Sequence, residues 1–584
     1  MNKEIVKDKI MSAVFLLCAV FSVLALIVIC IYIFATGVPS ILEIGVVKFL
    51  FGTRWSPSAG DFGILPMIVG SIYITLGATI FGVSIGLFTA VFISKFCNPR
   101  WKKILSTVVN LLAGIPSIIY GFFGLIIIEP MLRSFSIYNN GMGILAASIV
   151  LGIMILPTII SLSVTSINSV EKSYYEGARA LGATSEQSVF RVLVPAAKSG
   201  IFASVVLGLG RAIGETMAVI MVAGNNPIFV HSIVESIRTM TGNIVLEMSY
   251  STGLHRGALI GTGTVLFIFI LIINTLIMRL KSKNIDKNKH NFVRSLTARI
   301  GLFNRNTTEN RTKIKYQIMK YITYLCSTLT IFVLFMVIGF ILIKGLPYVN
   351  FDLIFGKFSY GGEVTLLPSL LTTAMLIGIT IVIAVPLGIF SAIYLNEYVK
   401  KQNIFTKIIN ASIETLAGIP SIIYGLFGML FFVVAFKWGF SILAGSLTLV
   451  IMILPIIIKS AEESLKAIPL GYREGSFALG AGKVRTIFRI VLPSAISGII
   501  VAIVLSIGRI AGESAALIFT AGSMPTMPTG VMSGGSSLAV TMYTLAVEGL
   551  HMNEAYATAV VLLIIVLIIN SLATLLDTKL KKEH

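Results

Sequence analysis

The sequence predicts an all-α polytopic membrane protein made of two homologous six-helix halves, with about 12 transmembrane helices. Three observations predict this fold class. First, hydrophobic residues make up 56% of the 584-residue chain and charged residues only 12%, whereas about a quarter of the residues in soluble domains are charged. Second, apolar runs of the roughly 20 residues needed to cross a bilayer recur along the whole chain. Third, several motifs occur twice.

The predicted spans fall into two groups of six. In the first half they lie at 11–36, 63–94, 104–128, 141–163, 199–223 and 257–279. In the second half they lie at 318–344, 366–395, 407–436, 439–459, 496–521 and 556–576. Glycine and proline inside these runs are compatible with membrane helices, because neighbouring groups satisfy the freed backbone. The N-terminal run is too long for a signal peptide, so it is predicted to be a spanning helix.

Charged loops set the predicted topology. Basic residues cluster after the second span of each half, at Lys95, Arg100, Lys102 and Lys103 and at Lys400, Lys401 and Lys407. Residues 521–555 contain no Lys or Arg. The positive-inside rule therefore predicts a multi-pass protein of the cell (plasma) membrane with both termini in the cytoplasm. The net charge of +20 arises from such loops, which argues against nucleic acid as a partner.

The predicted domains are a transmembrane unit at 1–280, a cytoplasmic linker at 281–317 and a second transmembrane unit at 318–584. The linker is polar and basic, with the segments KSKNIDKNKH and RNTTENRTKIK. The chain has four cysteines. They show no paired spacing, so neither a disulfide framework nor a metal site is predicted.

Repetition shows that the two units are copies of one another. Four pairs of segments repeat: AGIPSIIYG at 113–121 and 417–425, MILP at 154–157 and 452–455, EGARALGATSEQSVFRVLVPAA at 176–197 with EGSFALGAGKVRTIFRIVLPSA at 474–495, and GRAIGE at 210–215 with GRIAGE at 508–513. Because each unit has an even number of predicted spans, both copies have the same orientation. They are therefore related by an axis along the membrane normal.

The fifth span of each half carries two charged residues, Arg211 and Glu215 in the first half and Arg509 and Glu513 in the second. A charge near mid-membrane costs about 3 kcal/mol on insertion scales, so these residues are candidates for function. On a continuous helix each pair, at i and i+4, shares one face. One interpretation is a structural ion pair that neutralises itself. The other is that the arginines line a pathway at the axis and attract an oxyanion, because the guanidinium fork matches oxyanion geometry.

The glutamates add a possible selectivity. A carboxylate could accept a hydrogen bond from a protonated oxygen. Hydrogen phosphate carries such a proton at neutral pH, whereas sulfate does not.

The repeated AGIPSIIYG motif contains a proline that is predicted to interrupt the third span of each half. The break could expose the dipoles of the helix ends. Its candidate pore or kink residues are Pro116, Ser117, Tyr120, Pro420, Ser421 and Tyr424. Two interpretations stay open: the break serves only packing, or it brings hydroxyl groups to a pathway.

The loop after the fourth span has the same pattern in both halves, E-G-x-x-A-L-G-A-x₆-F-R-x₃-P. Its small residues allow close approach between helices, and glycine can turn the chain with positive φ. The alternative is an ordinary amphipathic loop helix. The loop resembles the EAA loop of importer-type ABC permeases, which in that family forms a coupling helix that docks on an ATPase subunit. The corresponding residues are Glu176, Gly177, Ala178, Gly182, Glu474, Gly475, Ser476 and Gly480.

Together these motifs resemble the phosphate-specific ABC importer permeases. The first half is similar to the C-type subunit, chiefly through GRAIGETMAV, and the second to the A-type subunit, chiefly through GRIAGESAALIFTAG. The resemblance covers nearly the whole chain apart from the linker. That system normally uses two separate permease polypeptides, whereas this chain is a single fused polypeptide. The resemblance implies the ABC importer type I transmembrane fold and functional charged residues in the fifth spans.

The same resemblance implies partners. Two ATPase subunits would dock on the two loops, and an extracytoplasmic phosphate-binding protein would deliver the substrate. The sequence contains no G-x-x-x-x-G-K-[ST] phosphate loop. ATP and Mg²⁺ are therefore expected on the partner ATPase, with no cofactor and no enzymatic activity in this chain.

Two alternatives remain at this point. The same type of machine could carry another oxyanion, such as sulfate, molybdate or phosphonate, because a pair of arginines suits any of them. An ion-coupled secondary transporter would also have two six-span halves, but it would not need the paired cytoplasmic loops.

Overall fold

The structure is a computed structural model that describes residues 2–135, 141–275, 309–356, 364–399 and 403–580. Residues 281–308 of the predicted linker lie outside the described residues, as do the end of the predicted span 257–279 and the loop residues Lys400 and Lys401. The described residues are mostly helical. Their only sheet is a two-stranded antiparallel hairpin of β1 (Trp55–Ser56) and β2 (Asp61–Phe62).

The α-helices of the first half, in chain order, are α1 (Asn2–Ile44), α2 (Val46–Phe51), α3 (Leu65–Val91), α4 (Pro99–Ala113), α5 (Ser117–Phe123), α6 (Glu129–Phe135), α7 (Ile144–Asn168), α8 (Lys172–Ala180), α9 (Ser185–Ser188), α10 (Val194–Ala196), α11 (Lys198–Gly214), α12 (Met217–Val222), α13 (Met240–Glu247) and α14 (Gly253–Thr275). Turns of π-helix follow α3, α5 and α9, at Phe92–Phe96, Gly124–Ile128 and Val189–Leu193. A 3₁₀ turn (Pro57–Ala59) joins β1 to β2.

The α-helices of the second half are α15 (Glu309–Gly345), α16 (Phe351–Phe355), α17 (Leu367–Ile393), α18 (Ile404–Gly418), α19 (Ser421–Gly428), α20 (Ile442–Lys466), α21 (Leu470–Ala478), α22 (Lys483–Thr486), α23 (Leu492–Ala511), α24 (Ala515–Ile518), α25 (Leu538–Glu548) and α26 (Met552–Leu580). Turns of π-helix follow α17, α19 and α22, at Tyr394–Tyr398, Met429–Ala435 and Ile487–Val491. A 3₁₀ turn (Leu346–Tyr348) follows α15. Because α15 begins at Glu309, the last residues of the predicted linker are helical.

The helices confirm the predicted fold class. Ten helices of the described residues are long and apolar enough to cross a membrane, and twelve spans result if each of two bent helix pairs counts as one. The duplication is equally visible, since α3 and α17 have 27 residues each and α7 and α20 have 25 each. The helices α8 and α21, from the paired loops, have nine residues each.

The first helix of each half packs on the opposite half. The helix α1 lies against α17 and α18, and α15 lies against α3. Aromatic contacts mark both crossings: Phe15 lies 5.2 Å from Phe390, and Phe92 lies 4.9 Å from Tyr324, measured between ring centroids. The largest hydrophobic core runs through both halves. The two units therefore fold as one intertwined body around a shared centre.

Candidate functional site

A break divides the third predicted span of each half, as the prolines predict. The helix α4 gives way to α5 at Pro116, and α18 gives way to α19 at Pro420. In the second half the helix axis turns by 101° across this break. Ser117 and Ser421 begin the new helices and are half-buried.

The tyrosines of AGIPSIIYG stabilise these breaks. The hydroxyl of Tyr120 donates a hydrogen bond of 3.0 Å to the carbonyl of Leu112, and the hydroxyl of Tyr424 donates one of 2.7 Å to the carbonyl of Leu416. Both tyrosine side chains are buried. Each of these carbonyls also accepts a hydrogen bond from the backbone N–H three residues further on, that of Ile115 or Ile419, so the tyrosine is a second partner that holds the end of the helix in place. For the tyrosines the geometry thus favours the packing interpretation.

The two most strongly repeated motifs of the spans meet each other across the halves. A Cβ atom on Gly214 would lie 3.2 Å from side-chain atoms of Pro420, and one on Gly512 would lie 2.8 Å from Pro116. The GRAIGE motif of the first half therefore packs on AGIPSIIYG of the second, and GRIAGE of the second packs on AGIPSIIYG of the first. Both motifs occur twice because together they form both sides of one pseudo-symmetric interface.

The predicted helical pairing of arginine and glutamate is wrong. The helix α11 ends at Gly214, and Glu215 has extended backbone dihedrals (φ −71°, ψ 136°). The helix α23 likewise ends before Glu513. Among the described residues, no ion pair joins Arg211 to Glu215 or Arg509 to Glu513. The glycine before each glutamate packs tightly against a proline of the opposite half, and the helix stops there.

The glutamates instead cap the short helices that follow. One carboxylate oxygen of Glu215 accepts a hydrogen bond of 3.4 Å from the backbone N–H of Ala218, in the first turn of α12. Glu513 accepts an equivalent bond of 3.2 Å from Ala516, in α24. Carboxylates at helix N-termini are stabilised by the unpaired N–H groups and by the helix dipole. Each glutamate therefore has a fixed position at the centre of the molecule.

The four charged residues form one cluster between the halves. The charge of Arg509 acts on those of Arg211 and Glu513, the charges of Glu513 and Glu215 act on each other, and Ser421 lies beside Glu513. The side chain of Arg509 is exposed, although Arg509 lies about one turn before Gly512, which packs on Pro116 of the opposite half. It therefore faces an internal space between the two halves. The site combines two cations and two anions, so it carries no net charge when all four groups are ionised.

The paired loops form short exposed helices at one end of the molecule. Glu176 and Gly177 on α8 are exposed, as are Glu474 and Gly475 on α21. The following glycines, Gly182 and Gly480, have φ of +84° and +80° and are also exposed. This left-handed conformation strongly favours glycine, which explains why the glycine occurs in both copies.

Two members of the predicted loop set are less exposed. Ala178 is half-buried. Ser476 is buried, and its hydroxyl hydrogen-bonds that of Thr486 at 2.8 Å. These two residues therefore pack the loop against its own half, whereas the other members of the set are open to a partner.

Comparison with known proteins identifies the family. The family model described as binding-protein-dependent transport system inner membrane component matches the chain twice, at residues 82–287 and 384–582. The chain belongs to this family. The two matches fall one in each half, which confirms the duplication.

Individual relatives agree with the family match. The chain is 39% identical over 275 residues to the probable ABC transporter permease protein YqgH of Bacillus subtilis, covering 45% of this chain and 89% of the relative. It is 32% identical over 246 residues to the phosphate transport system permease protein PstC of Mesorhizobium japonicum, covering 39% of this chain and 75% of the relative.

A third relative spans both halves. The phosphate transport system permease protein PstA homolog of Mycoplasma pneumoniae is 28% identical over 550 residues, which cover 85% of this chain and 83% of the relative. An alignment of that length includes both halves. The single-chain arrangement therefore occurs in another member of this permease family.

The structure also reveals residues of the permease that the sequence analysis missed. Leu181 and Leu479, the leucines of the paired loops, are 66% and 90% exposed. Each loop therefore presents an apolar side chain beside its exposed glutamate and glycines. The sequence could have indicated these residues, because a leucine occurs at the same position of both loops.

A repeated asparagine was missed as well. The segment LIIN occurs at 271–274 and again at 567–570. Asn274 packs on Gly418 and Asn570 packs on Gly114, so closely that a Cβ atom on either glycine would displace the asparagine amide. The last span of each half thus contacts the helix break of the opposite half.

Proposed function

We propose that this chain is the transmembrane permease of an ATP-driven importer of inorganic phosphate, and that both halves form the translocation pathway. The observation that carries the proposal is the cluster of Arg211, Glu215, Arg509 and Glu513 at the interface between the halves, where Arg509 faces an internal space. Phosphate transport in the names of the relatives from Mesorhizobium and Mycoplasma supports the choice of substrate.

The chemistry of the cluster suits hydrogen phosphate. Two guanidinium groups can donate several charge-assisted hydrogen bonds to a tetrahedral oxyanion. The carboxylates of Glu215 and Glu513 offset the arginine charges when the site is empty, which lowers the cost of keeping charge inside the membrane. An ionised carboxylate only accepts hydrogen bonds. Hydrogen phosphate can donate its proton to such an acceptor, whereas sulfate would place one acceptor against another.

The proposed partners follow from the exposed loops. Two ABC ATPase subunits dock on α8 and α21, where Leu181 and Leu479 provide apolar anchors. These subunits hold ATP and Mg²⁺ and catalyse hydrolysis, and this chain performs no catalysis. Closure of the ATPases moves the coupling helices and switches the pathway from inward to outward access. An extracytoplasmic phosphate-binding protein delivers the substrate at the end opposite α8 and α21, and both termini lie in the cytoplasm.

The test is phosphate uptake. Phosphate-starved cells expressing this chain with its ATPase and binding protein receive labelled phosphate, alone or with excess sulfate, molybdate or phosphonate. An ATP-depleted culture is the energy control. The proposal predicts ATP-dependent uptake that none of the competitors reduces.

Variants tie the uptake to the site. Arg509→Gln removes one guanidinium, and we expect it to reduce uptake by roughly tenfold or more, as for the loss of a hydrogen bond to a charged group. Arg133→Gln is the matched control, because Arg133 is exposed on α6, outside the cluster. Preferential uptake of another oxyanion would overturn the substrate but keep the transporter class. Uptake that survives ATP depletion would overturn the class.

A further inference from the structure

The two arginines of the cluster differ in their neighbours. The repeated segment MILP lies on α7 and on α20, and the next residue is Thr158 in the first half and Ile456 in the second. A guanidinium N–H of Arg211 donates a hydrogen bond of 3.3 Å to the hydroxyl oxygen of Thr158. Isoleucine has no polar side-chain atom, so position 456 cannot hold Arg509 in the same way.

Exposure follows the same difference. The side chain of Arg211 is half-buried, whereas that of Arg509 is exposed to the internal space. One neighbour is the same on both sides, since Tyr120 lies near Arg211 and Tyr424 lies near Arg509. The half with threonine at this position thus has a hydrogen-bonded, half-buried arginine, and the half with isoleucine has an exposed arginine.

We infer that Thr158 is a positioning residue that holds Arg211 against α7, so that Arg509 is the guanidinium that first engages the oxyanion. The inference rests on the proposed function, because it assigns unequal tasks to two arginines of the proposed site. A hydrogen bond from a charged donor is stronger than one between neutral groups. The bond to Thr158 therefore occupies one of the donors of Arg211 and restricts the side chain, whereas the guanidinium of Arg509 makes no hydrogen bond to another residue in the part of the chain that the structure describes.

Chemical modification tests the inference without relying on transport. The full-length protein in detergent reacts with 2,3-butanedione, and peptide mass spectrometry measures the modification rate of each arginine. Arg509 should react several-fold faster than Arg211. Thr158→Val should accelerate the reaction of Arg211 several-fold, and Thr158→Ser, which keeps the hydroxyl, should restore the slow rate. The reciprocal change Ile456→Thr should slow the reaction of Arg509.

A matched control is present on the same helix. The hydroxyl of Thr165 on α7 bonds only its own helix, donating to the carbonyl of Ser161 at 3.0 Å. Thr165→Val should leave both arginine rates unchanged. Equal rates for the two arginines in the unaltered protein, including no reaction at either, would overturn the inference. So would an unchanged rate of Arg211 in Thr158→Val.

Measurements of phosphate uptake then test whether the two arginines have unequal roles in transport. Arg509→Gln should reduce phosphate uptake more than Arg211→Gln, and this difference should narrow when Thr158→Val is added to each. Equal losses in both single variants would contradict the unequal tasks. If the unaltered protein takes up no phosphate, the proposed function fails, and the modification rates still decide whether Thr158 holds Arg211.

Discussion

The two halves of this permease are alike at the centre and at the paired loop helices α8 and α21 but differ at the opposite end. There the first half buries the carboxylate of Glu247, which hydrogen-bonds Trp55 and His255 and forms an ion pair with Arg238. In the second half Leu545 takes the place of Glu247. Ser536 and Thr541, which correspond to Arg238 and Asn243, belong to a neutral network in which the hydroxyl of Thr541 bonds those of Ser369 and Ser536.

This difference shows in which region of the molecule the two copies could acquire different residues. At the centre, each motif packs against a motif of the other copy, so a change on one side must fit a partner on the other. At the end opposite α8 and α21, the network around Glu247 is made within the first half and the hydroxyl network within the second. The network of one half can therefore change without disturbing the other half.

The largest expected effect concerns the buried ion cluster. Glu247→Ala leaves Arg238 without its charge partner in a mostly buried position, and breaking such a pair costs about 3–5 kcal/mol. Thr541→Val removes a neutral hydroxyl from the corresponding network of the second half and should cost only about 1–3 kcal/mol. Unfolding of the purified protein in mixed micelles measures both values. A larger loss for Thr541→Val would contradict the comparison.

The next effect tests the central interface. A methyl group at Gly512 would lie 2.8 Å from Pro116, and one at Gly214 would lie 3.2 Å from Pro420. Overpacking costs about 1–3 kcal/mol, so Gly512→Ala should destabilise the protein more than Gly214→Ala. The control is Gly210→Ala, since a Cβ at Gly210 would meet no other atom within 4 Å. Thermal unfolding in detergent should rank the three variants in this order.

Acid should affect the first half specifically. Burial disfavours the ionised form of Glu247, but hydrogen bonds from Trp55, Arg238 and His255 outweigh it and lower the pKa of Glu247. A lowered pKa in the folded state means that this stabilisation is complete above the unfolded pKa of about 4.3 and is lost as the pH falls through the folded pKa. The midpoint temperature of thermal unfolding should therefore decrease when the pH is lowered below about 4. Glu247→Gln should remove part of that pH dependence, and an unchanged acid profile would contradict the assignment.

The smallest effect concerns α15, the first helix of the second half, which packs on the first half. Lys320 on α15 forms an ion pair of 2.8 Å with Glu186, which belongs to the first half. The pair is partly exposed, so Lys320→Ala should cost about 1 kcal/mol or less, and salt should diminish the effect. Lys315→Ala, at an exposed position of the same helix, is the control. A loss of Lys320→Ala that is independent of salt would show that packing, and not charge, connects the helix to the other half.

Much of this architecture was predictable from the sequence, because the surroundings of the protein are a membrane and not water. A membrane requires long apolar helices, which composition reveals. Repetition of AGIPSIIYG and of the paired loops indicated two copies in one orientation, and Pro116 and Pro420 marked the helix breaks. These features depend on local composition and on comparison of the chain with itself.

The geometry of the site was not predictable in the same way. A spacing of four residues placed Arg211 and Glu215 on one helical face, but the helix ends between them, at Gly214, where it packs on Pro420 of the other half. The unequal neighbours Thr158 and Ile456 are visible in the sequence. Their meaning appears only once α7 lies beside α11.

The sequence by itself determined the membrane class, the two-fold repeat, the helix breaks and the identity of the charged residues. These follow from hydrophobicity, proline geometry and copied motifs, which act over a few residues or a single span. Only the tertiary structure decided which half each motif contacts, that the first helices cross to the opposite half, and that the glutamates cap short helices. Such contacts join residues hundreds of positions apart, so packing between the halves, and not local preference, fixes them.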